Sequence, residues 1–469
     1  MKKYRILITP NVAARYDQRM VTGFAEGFTR IGHFAVALSC PISSAEVVRL
    51  CKHFSIDVVI QINRARDPEV SLPDGVRLIS WIQDVFPETL KGFPERFKDS
   101  DILYVLGDAE VLGLNAKMPC FSGSLFTGVD QATINFLTHN IKNDLDFSLC
   151  GGLPPAFDMA SSYKNDILWH VDNLLQKVPS LGASRFIEAL RILIFSQSLP
   201  VDYLPSSVLL AMAQVVQSSY RPLRGELDIH VLSEAIFTRT KLLDCEKVYL
   251  RNVRETRTSK LSRFLTPYAQ RYSGRRDFEA RLIRYLAKES RIFHRGPTSP
   301  VGKAINYFAQ SYPRIMDRVA LVAAAEKVSR SLELYGPGLD SHTFAHPYFK
   351  GVIEDQDCLL KMYLRSRINL HNSTHGLGLH SRTLECMAVG GFVFMHESSR
   401  DSNVGGMHTE FEPGAHYGAY TPENFHEEAL RWLADERRRI SAGVASASII
   451  RRRHCWHHRA QQVINDLNR

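Results

Sequence analysis

The chain has 469 residues, 45% of them apolar and 23% charged, an ordinary globular composition whose length implies two or three domains with sizeable cores. No run reaches the roughly 18 apolar residues needed to cross a bilayer, which excludes a helical integral membrane protein. The eight cysteines are scattered without a C-x-x-C pair, so neither a disulfide scaffold nor a zinc ribbon is expected, and a reducing, cytoplasmic setting is. The net charge is +9, yet residues 239–295 alone hold 16 Lys and Arg against 6 Asp and Glu; that surplus of 10 leaves the remainder close to neutral.

Met1 to Pro10 carries a short β-like run and no signal-peptide pattern, and is read as a first strand. Strands are predicted at Tyr4 to Thr9, Phe34 to Leu38, Asp57 to Ile62, Val76 to Ile82 and Ile102 to Leu106, with helical spacing over Arg19 to Arg30 and Ser44 to Phe54. This βαβ rhythm predicts a parallel, doubly wound sheet over residues 1–150, with ligands beyond the carboxyl ends of its strands. The breaker clusters Gly151 to Pro155 and Gly296 to Pro300 predict domain boundaries. Between them, Lys164 to Val178, Ser184 to Ser196, Ser206 to Ser219, Leu232 to Val248 and Arg275 to Phe293 have three- and four-residue apolar spacing, predicting an all-α insertion over 151–300 that is basic in its second half.

After Gly302 the βαβ rhythm returns: a strand at Ala304 to Phe308, a helix at Arg314 to Val328, strands at Ser331 to Leu334 and Ile368 to Leu370, a helix at Ser381 to Ala388, a strand at Phe392 to Met395, and helices from Asn424 and Ser446 onward. The fold class is therefore α/β, with two Rossmann-like parallel-sheet domains (1–150 and 301–455) facing a cleft, the helical insertion between them and a closing helix at 456–469. An interdomain cleft is where a small-molecule site is expected.

The densest functional signal runs from Ser366 to Gly391: strand, glycine-bearing loop, helix N-terminus, helix, glycine stop, strand. Gly376 and Gly378 would let the backbone approach a ligand, and the helix tip at His380, Ser381 and Arg382 would offer amides and a positive dipole end to an anion such as a diphosphate. Glu385, one turn on, could accept two hydrogen bonds from a ribose diol, or merely complement the helix dipole. Gly390-Gly391 is read as a C-cap before a buried strand.

These segments resemble the carboxy-terminal half of CgeB-like glycosyltransferases. The likeness is carried by Leu334-Tyr335-Gly336-Pro337-Gly338, His346 to Gly351, Ser366 to Leu370, Gly378-Leu379-His380-Ser381-Arg382, Leu384 to Gly391, Phe411 to Tyr420 and His454 to Arg459. It covers roughly residues 305–459; in the amino-terminal half only Ser80-Trp81-Ile82-Gln83-Asp84 is reminiscent of the family. The resemblance implies a GT-B architecture, a nucleotide-sugar held mainly by the second domain, no obligatory metal and no cofactor beyond that substrate. It implies donor contacts at Gly336, Gly378 and Leu379, and a ribose contact at Glu385 as second glutamate of an E-x7-E motif. Leu377 stands where the first glutamate would be, which removes the usual contact to the sugar ring.

A leaving diphosphate gains charge in the transition state and calls for cations. Arg314, opening a helix after Tyr312-Pro313, is the first candidate; Arg382 is either a second or a solvated ion-pair partner, and Lys350 is a third. Asn372, His371 and His375 crowd the loop and could grip donor hydroxyls or phosphate oxygens. The triplet His371, His375 and His380 also admits a zinc reading, against which its spacing lacks the helical i, i+4 register. Asp84, after an apolar strand, is the candidate base for the acceptor proton, or a loop aspartate. The pairs Asp144/Asp146 and Asp355/Asp357 imitate a D-x-D metal motif but are expected at the surface. The basic helices interleave aromatics: core plus solvated face is the favoured reading, nucleic acid an alternative, and a docking surface for a glycan or protein acceptor, or a subunit contact, a further one. The function expected is glycosyl transfer to a hydroxyl or amine, with a sugar-nucleotide epimerase or a non-catalytic binding protein as alternatives.

Overall fold

The structure, a computed structural model, describes residues 2–83, 94–107, 118–136, 141–155, 157, 206–240 and 300–469. It divides into two compact units, one of Met1–Leu153, Arg221–Asp228 and Met316–Arg469, the other of Pro154–Tyr220 and Ile229–Ile315.

The first unit holds two parallel six-stranded sheets. The first sheet comprises β1 (Arg5–Thr9), β2 (Phe34–Ala37), β3 (Val58–Ile62), β4 (Arg77–Ile82), β5 (Ile102–Val105) and β6 (Phe121–Ser124), in the order β2-β1-β3-β4-β5-β6. Its central strands are buried along most of their length, as the near-continuous apolar run of β3 (VVIQI, broken only by the buried Gln61) requires of a sheet covered on both faces. Helix α1 (Arg15–Arg30) and α2 (Ser44–Phe54) supply crossovers. A reciprocal Ser43–Glu46 capping box starts α2, and a left-handed Ser55 ends it. A short helix, α3 (Gln131–Ile134), is capped by Asp130.

The second sheet comprises β7 (Leu145–Cys150), β8 (Leu332–Tyr335), β9 (Phe349–Gly351), β10 (Ser366–His371), β11 (Val393–His396) and β12 (Gly418–Tyr420), in the order β12-β11-β10-β7-β8-β9. Strand β7 corrects the expected boundary: it pairs in parallel with both β10 and β8, so residues 145–150 belong to the second sheet and Gly151 to Pro155 is the loop that leaves its central strand. The long insertion consequently interrupts the second sheet's own chain, between β7 and β8, and does not separate two domains.

In the second unit α4 (Ser206–Ser219) has the expected bounds and α5 (Ile229–Arg239) forms the start of the next predicted helix. The expected helices at Lys164 to Val178, Ser184 to Ser196 and Arg275 to Phe293 lie outside the described residues. The strand expected at Ala304 to Phe308 is helical: α6 (Pro300–Asn306) passes through one π turn, Tyr307–Ser311, into α7 (Tyr312–Val328). Ala304 and Phe308 are buried, and their four-residue spacing fits a helix face, where a short apolar run alone is ambiguous.

The remaining helices are α8 (Gln356–Arg365), α9 (Ser381–Ala388), α10 (Phe425–Ala434), α11 (Glu436–Arg453) and α12 (Trp456–Leu467). Helix α12 ties the chain end to its beginning. Trp456, Ala460, Val463, Ile464 and Leu467 enter the same buried cluster as Ile6, Phe24, Phe28, Trp81 and Tyr104 of the first sheet and α1, and the Tyr104 hydroxyl donates to Asp466 at 2.6 Å. Three glycines admit Trp456: a methyl group on Gly23, Gly27 or Gly128 would lie 2.4, 2.6 or 2.7 Å from it. Two of those approaches are to backbone, which cannot yield as a side-chain tip can. Gly27→Ala is therefore expected to cost about 1–3 kcal/mol by overpacking, read as a lowered midpoint in chemical denaturation; an unchanged midpoint would show that α12 does not pack this closely.

Candidate functional site

The site is built at the carboxyl ends of β7 and β10. Strand β10 is anchored by Asn369, whose amide donates to the Tyr363 carbonyl at 2.9 Å and whose carbonyl accepts from Ser148 Oγ at 2.9 Å. The strand delivers His371 to its end, and the loop that follows leads into α9 at the expected residue. His380 is the N-cap, its Nδ1 accepting from the Arg382 amide at 3.4 Å. Gly390 takes positive φ just past the helix, the stop expected of it.

Two guanidinium groups meet at Gly151, the residue after β7. A methyl group there would lie 1.8 Å from Arg382 Nη1 and 2.8 Å from Arg318 Nη2. Arg382 donates to the Cys150 carbonyl at 2.7 Å. Arg318, from α7, is 6% exposed, and its Nη1 finds no hydrogen-bond acceptor among the described residues. Burial, then the charge of Arg382, pulls Arg318 down to about 9, so it remains charged at neutral pH. Asp317, fully buried, offsets part of that charge, but its oxygens already accept the Leu223 amide at 2.8 Å and Asn372 Nδ2 at 3.3 Å. The Asn372 carbonyl oxygen is itself buried without a partner among the described residues.

His371 shares this environment. Burial first, then Arg382, Arg318 and His380, hold its ring well below the ordinary imidazole value, so it is a neutral group beside two cations. Gly336 closes the other side: a methyl on it would lie 2.5 Å from the Gly151 carbonyl, and its φ of +143° is one that other residues rarely adopt. The expected donor glycine therefore serves the close approach of two loops.

Glu385 points inward. It is 8% exposed and pairs with Arg19 of α1, Nη2 to Oε1 at 2.6 Å. At the same helix start the Tyr16 hydroxyl donates to Ser381 Oγ at 3.1 Å, and Arg15 pairs with Glu354 at 2.9 Å. The turn before α1 is held by Asp17, which accepts the amides of Asn11 and Val12 at 3.2 and 3.0 Å.

Several expected residues lie elsewhere. Arg314 is exposed in the first turn of α7 and belongs to the second unit; the arginine that this helix brings to Gly151 is Arg318, one turn later. Lys350 is exposed on β9. Asp84 lies outside the described residues. The loop glycines make room for protein: a methyl on Gly376 would lie 2.5 Å from the Gly225 carbonyl, and one on Gly378 2.3 Å from Met407. Leu379 is core, and His375 lends its carbonyl to Arg400 at 3.3 Å. Leu377 packs at 3.0 Å from the place of a methyl on Gly107, beyond β5, so an apolar contact between the sheets stands where the resemblance has a glutamate. His396 accepts the Ser373 amide at 2.9 Å.

The zinc triplet does not assemble; among the described residues the close group of metal-type ligands is Cys455, His457 and His458. Burial first, then the neighbouring His457 and the charge of Arg459, with smaller contributions from His454 and Arg30, bring His458 in that group down to about 4. Of the D-x-D pairs, Asp144 and Asp146 bind Arg365 and Arg367, Asp355 caps α8 through the Cys358 amide, and Asp357 is exposed in the first turn of that helix.

Residues 317–465 match a family described as glycosyl transferase-like, so the second-sheet domain is of glycosyltransferase type. No curated protein matches the chain by sequence. Among solved structures, a glycosyltransferase from Rickettsia africae is 8% identical with TM-score 0.44, covering 100% of this chain and 98% of its own. A glycosyltransferase of avilamycin A biosynthesis is 11% identical with TM-score 0.43, covering 99% and 97%. Anabaena HepE, solved with UDP and glucose, is 10% identical with TM-score 0.41, covering 99% of both chains.

The depressed His371 carries a sign that can be measured. Below its ordinary value the unfolded chain takes a proton that the native ring refuses, so this group's contribution to stability is present above about pH 6.5 and is lost as pH falls through that value. Wild-type protein is expected to lose stability relative to His371→Gln between pH 7 and 5 in denaturant titrations; parallel pH curves would place His371 in a solvated setting.

Proposed function

We propose that the chain binds a nucleotide-activated sugar in the first unit and transfers the sugar to an acceptor hydroxyl or amine. The observation that carries this reading is the buried, charged Arg318, with Nη1 unpaired among the described residues, beside Arg382 at Gly151. A buried cation that is only partly compensated is costly, and a diphosphate bridging both guanidiniums would relieve it. Because a departing nucleoside diphosphate gains negative charge as the glycosidic bond breaks, the same contacts strengthen in the transition state. Neutral His371 can supply a further hydrogen bond without adding a third cation. Glu385, one turn into α9, would take the ribose diol.

The glycosyltransferase-like match over 317–465 favours transfer, and the motifs from Leu334 to Arg459 support placing the chain among CgeB-like enzymes. Asp84 remains the proposed base and the basic insertion the proposed acceptor surface; the seven free thiols among the described cysteines suit a reducing compartment. Among the described residues no helix is long and apolar enough to cross a membrane.

Arg318→Met tests the anion contact directly. It removes a charge that faces the fully buried Asp317, so the ligand-free protein is expected to lose stability as well, because truncating one member of a buried pair of opposite charges leaves the other uncompensated. It should weaken UDP, GDP or ADP binding about 100-fold, roughly 2.7 kcal/mol, as expected for truncating a buried charge contact. Calorimetry with unaltered affinity would remove Arg318 from the site. Incubation with nucleotide sugar alone should give slow hydrolysis; an epimerised donor would redirect the reading to an epimerase.

A further inference from the structure

Arg19 stands outside the machinery described so far, yet its guanidinium contacts a buried carboxylate of the site, Glu385. It reaches Glu385 Oε1 at 2.6 Å from α1, on the first sheet, with its own side chain 36% exposed against 10% for Glu385. The contact is not isolated: Tyr16, one turn earlier on α1, donates to Ser381 Oγ at the tip of α9 at 3.1 Å, and Asp17 fixes the turn from which both emerge. One salt bridge at an exposed surface would mean little. Here one partner is buried, and the salt bridge occupies one carboxylate oxygen.

We propose that Arg19 is a positioning residue of the nucleotide site, fixing the Glu385 carboxylate so that its second oxygen faces the ribose diol, and that the grip on the nucleotide therefore needs one residue from each sheet. The proposal rests on the reading of Glu385 as the ribose carboxylate. A diol donates two hydrogen bonds, and a carboxylate accepts them well only when ionised and held in one rotamer. Burial raises the Glu385 carboxyl, and Arg19 is the largest influence drawing it back; Asp130 before α3 raises it, and Arg382 on its own helix lowers it. Tyr16 on α1, Tyr363 on α8 and Cys386 on α9 also face it, each as a neutral group at physiological pH.

The test is calorimetric titration of UDP and 2′-deoxy-UDP into wild type, Arg19→Gln, Arg19→Lys and Glu385→Gln between pH 6 and 8. Arg19→Gln is expected to weaken UDP about tenfold at pH 7.5, the scale of a lost charge-assisted hydrogen bond. The loss should widen as pH falls and Glu385 takes a proton, and the preference for UDP over 2′-deoxy-UDP should collapse. Arg19→Lys should restore both the affinity and the flat pH profile; a purely structural role would be indifferent to the 2′-hydroxyl and to pH. If Glu385→Gln weakens UDP while Arg19→Gln matches wild type or binds more tightly at every pH, the positioning role falls and the ribose assignment stands. If Glu385→Gln leaves UDP affinity and 2′-hydroxyl preference intact, the ribose assignment falls and takes the positioning role with it.

Discussion

Two like charges brought together beneath one glycine are the constraint on which the site depends. Gly151 has no side chain because Arg382 and Arg318 occupy the space that a methyl would take, and Gly336 has none because its loop closes on the Gly151 carbonyl. Asp317 offsets part of the Arg318 charge, with its oxygens shared with the Leu223 amide and the Asn372 side chain. Such an arrangement lowers stability in the absence of an anion and repays it on binding, the exchange of folding energy for function expected at active sites.

The architecture explains why this costly cluster can persist. Both sheets belong to one compact unit, and α12 returns from the second sheet's domain to complete the core of the first. Trp456, seated against α1 through Gly23 and Gly27, holds that helix in the place from which Tyr16 and Arg19 reach α9. Rigid packing far from the polar groups thus sets their spacing, as preorganised sites require.

The doubly wound rhythm of the first sheet was legible because buried parallel strands are nearly continuous β-branched runs, and the helix Ser381–Ala388 because a polar cap and a glycine stop bracket it. Strand β7 was not: its sequence, LDFSLC, lies far from its partners, and its pairing with β10 is a tertiary fact with no local signature. The same holds for site residues. Glu385 and Arg382 announced themselves through their place in a motif, whereas Arg318 sits mid-helix, distinguished in sequence only by the charged pair Asp317-Arg318 before an apolar run. Arg19 looks like any helix-surface arginine until α9 is seen beside it. Gly376 and Gly378 illustrate the converse: the need for small residues was correctly signalled, but the neighbour they admit is protein, which spacing cannot distinguish from a ligand.

The most direct measurement is a crystal structure of the protein with UDP, GDP or ADP, whichever binds. The account predicts diphosphate oxygens within hydrogen-bond distance of Arg318 Nη1 and the Arg382 guanidinium, alongside Gly151. A nucleotide bound elsewhere, with Arg318 still lacking an acceptor, would contradict it.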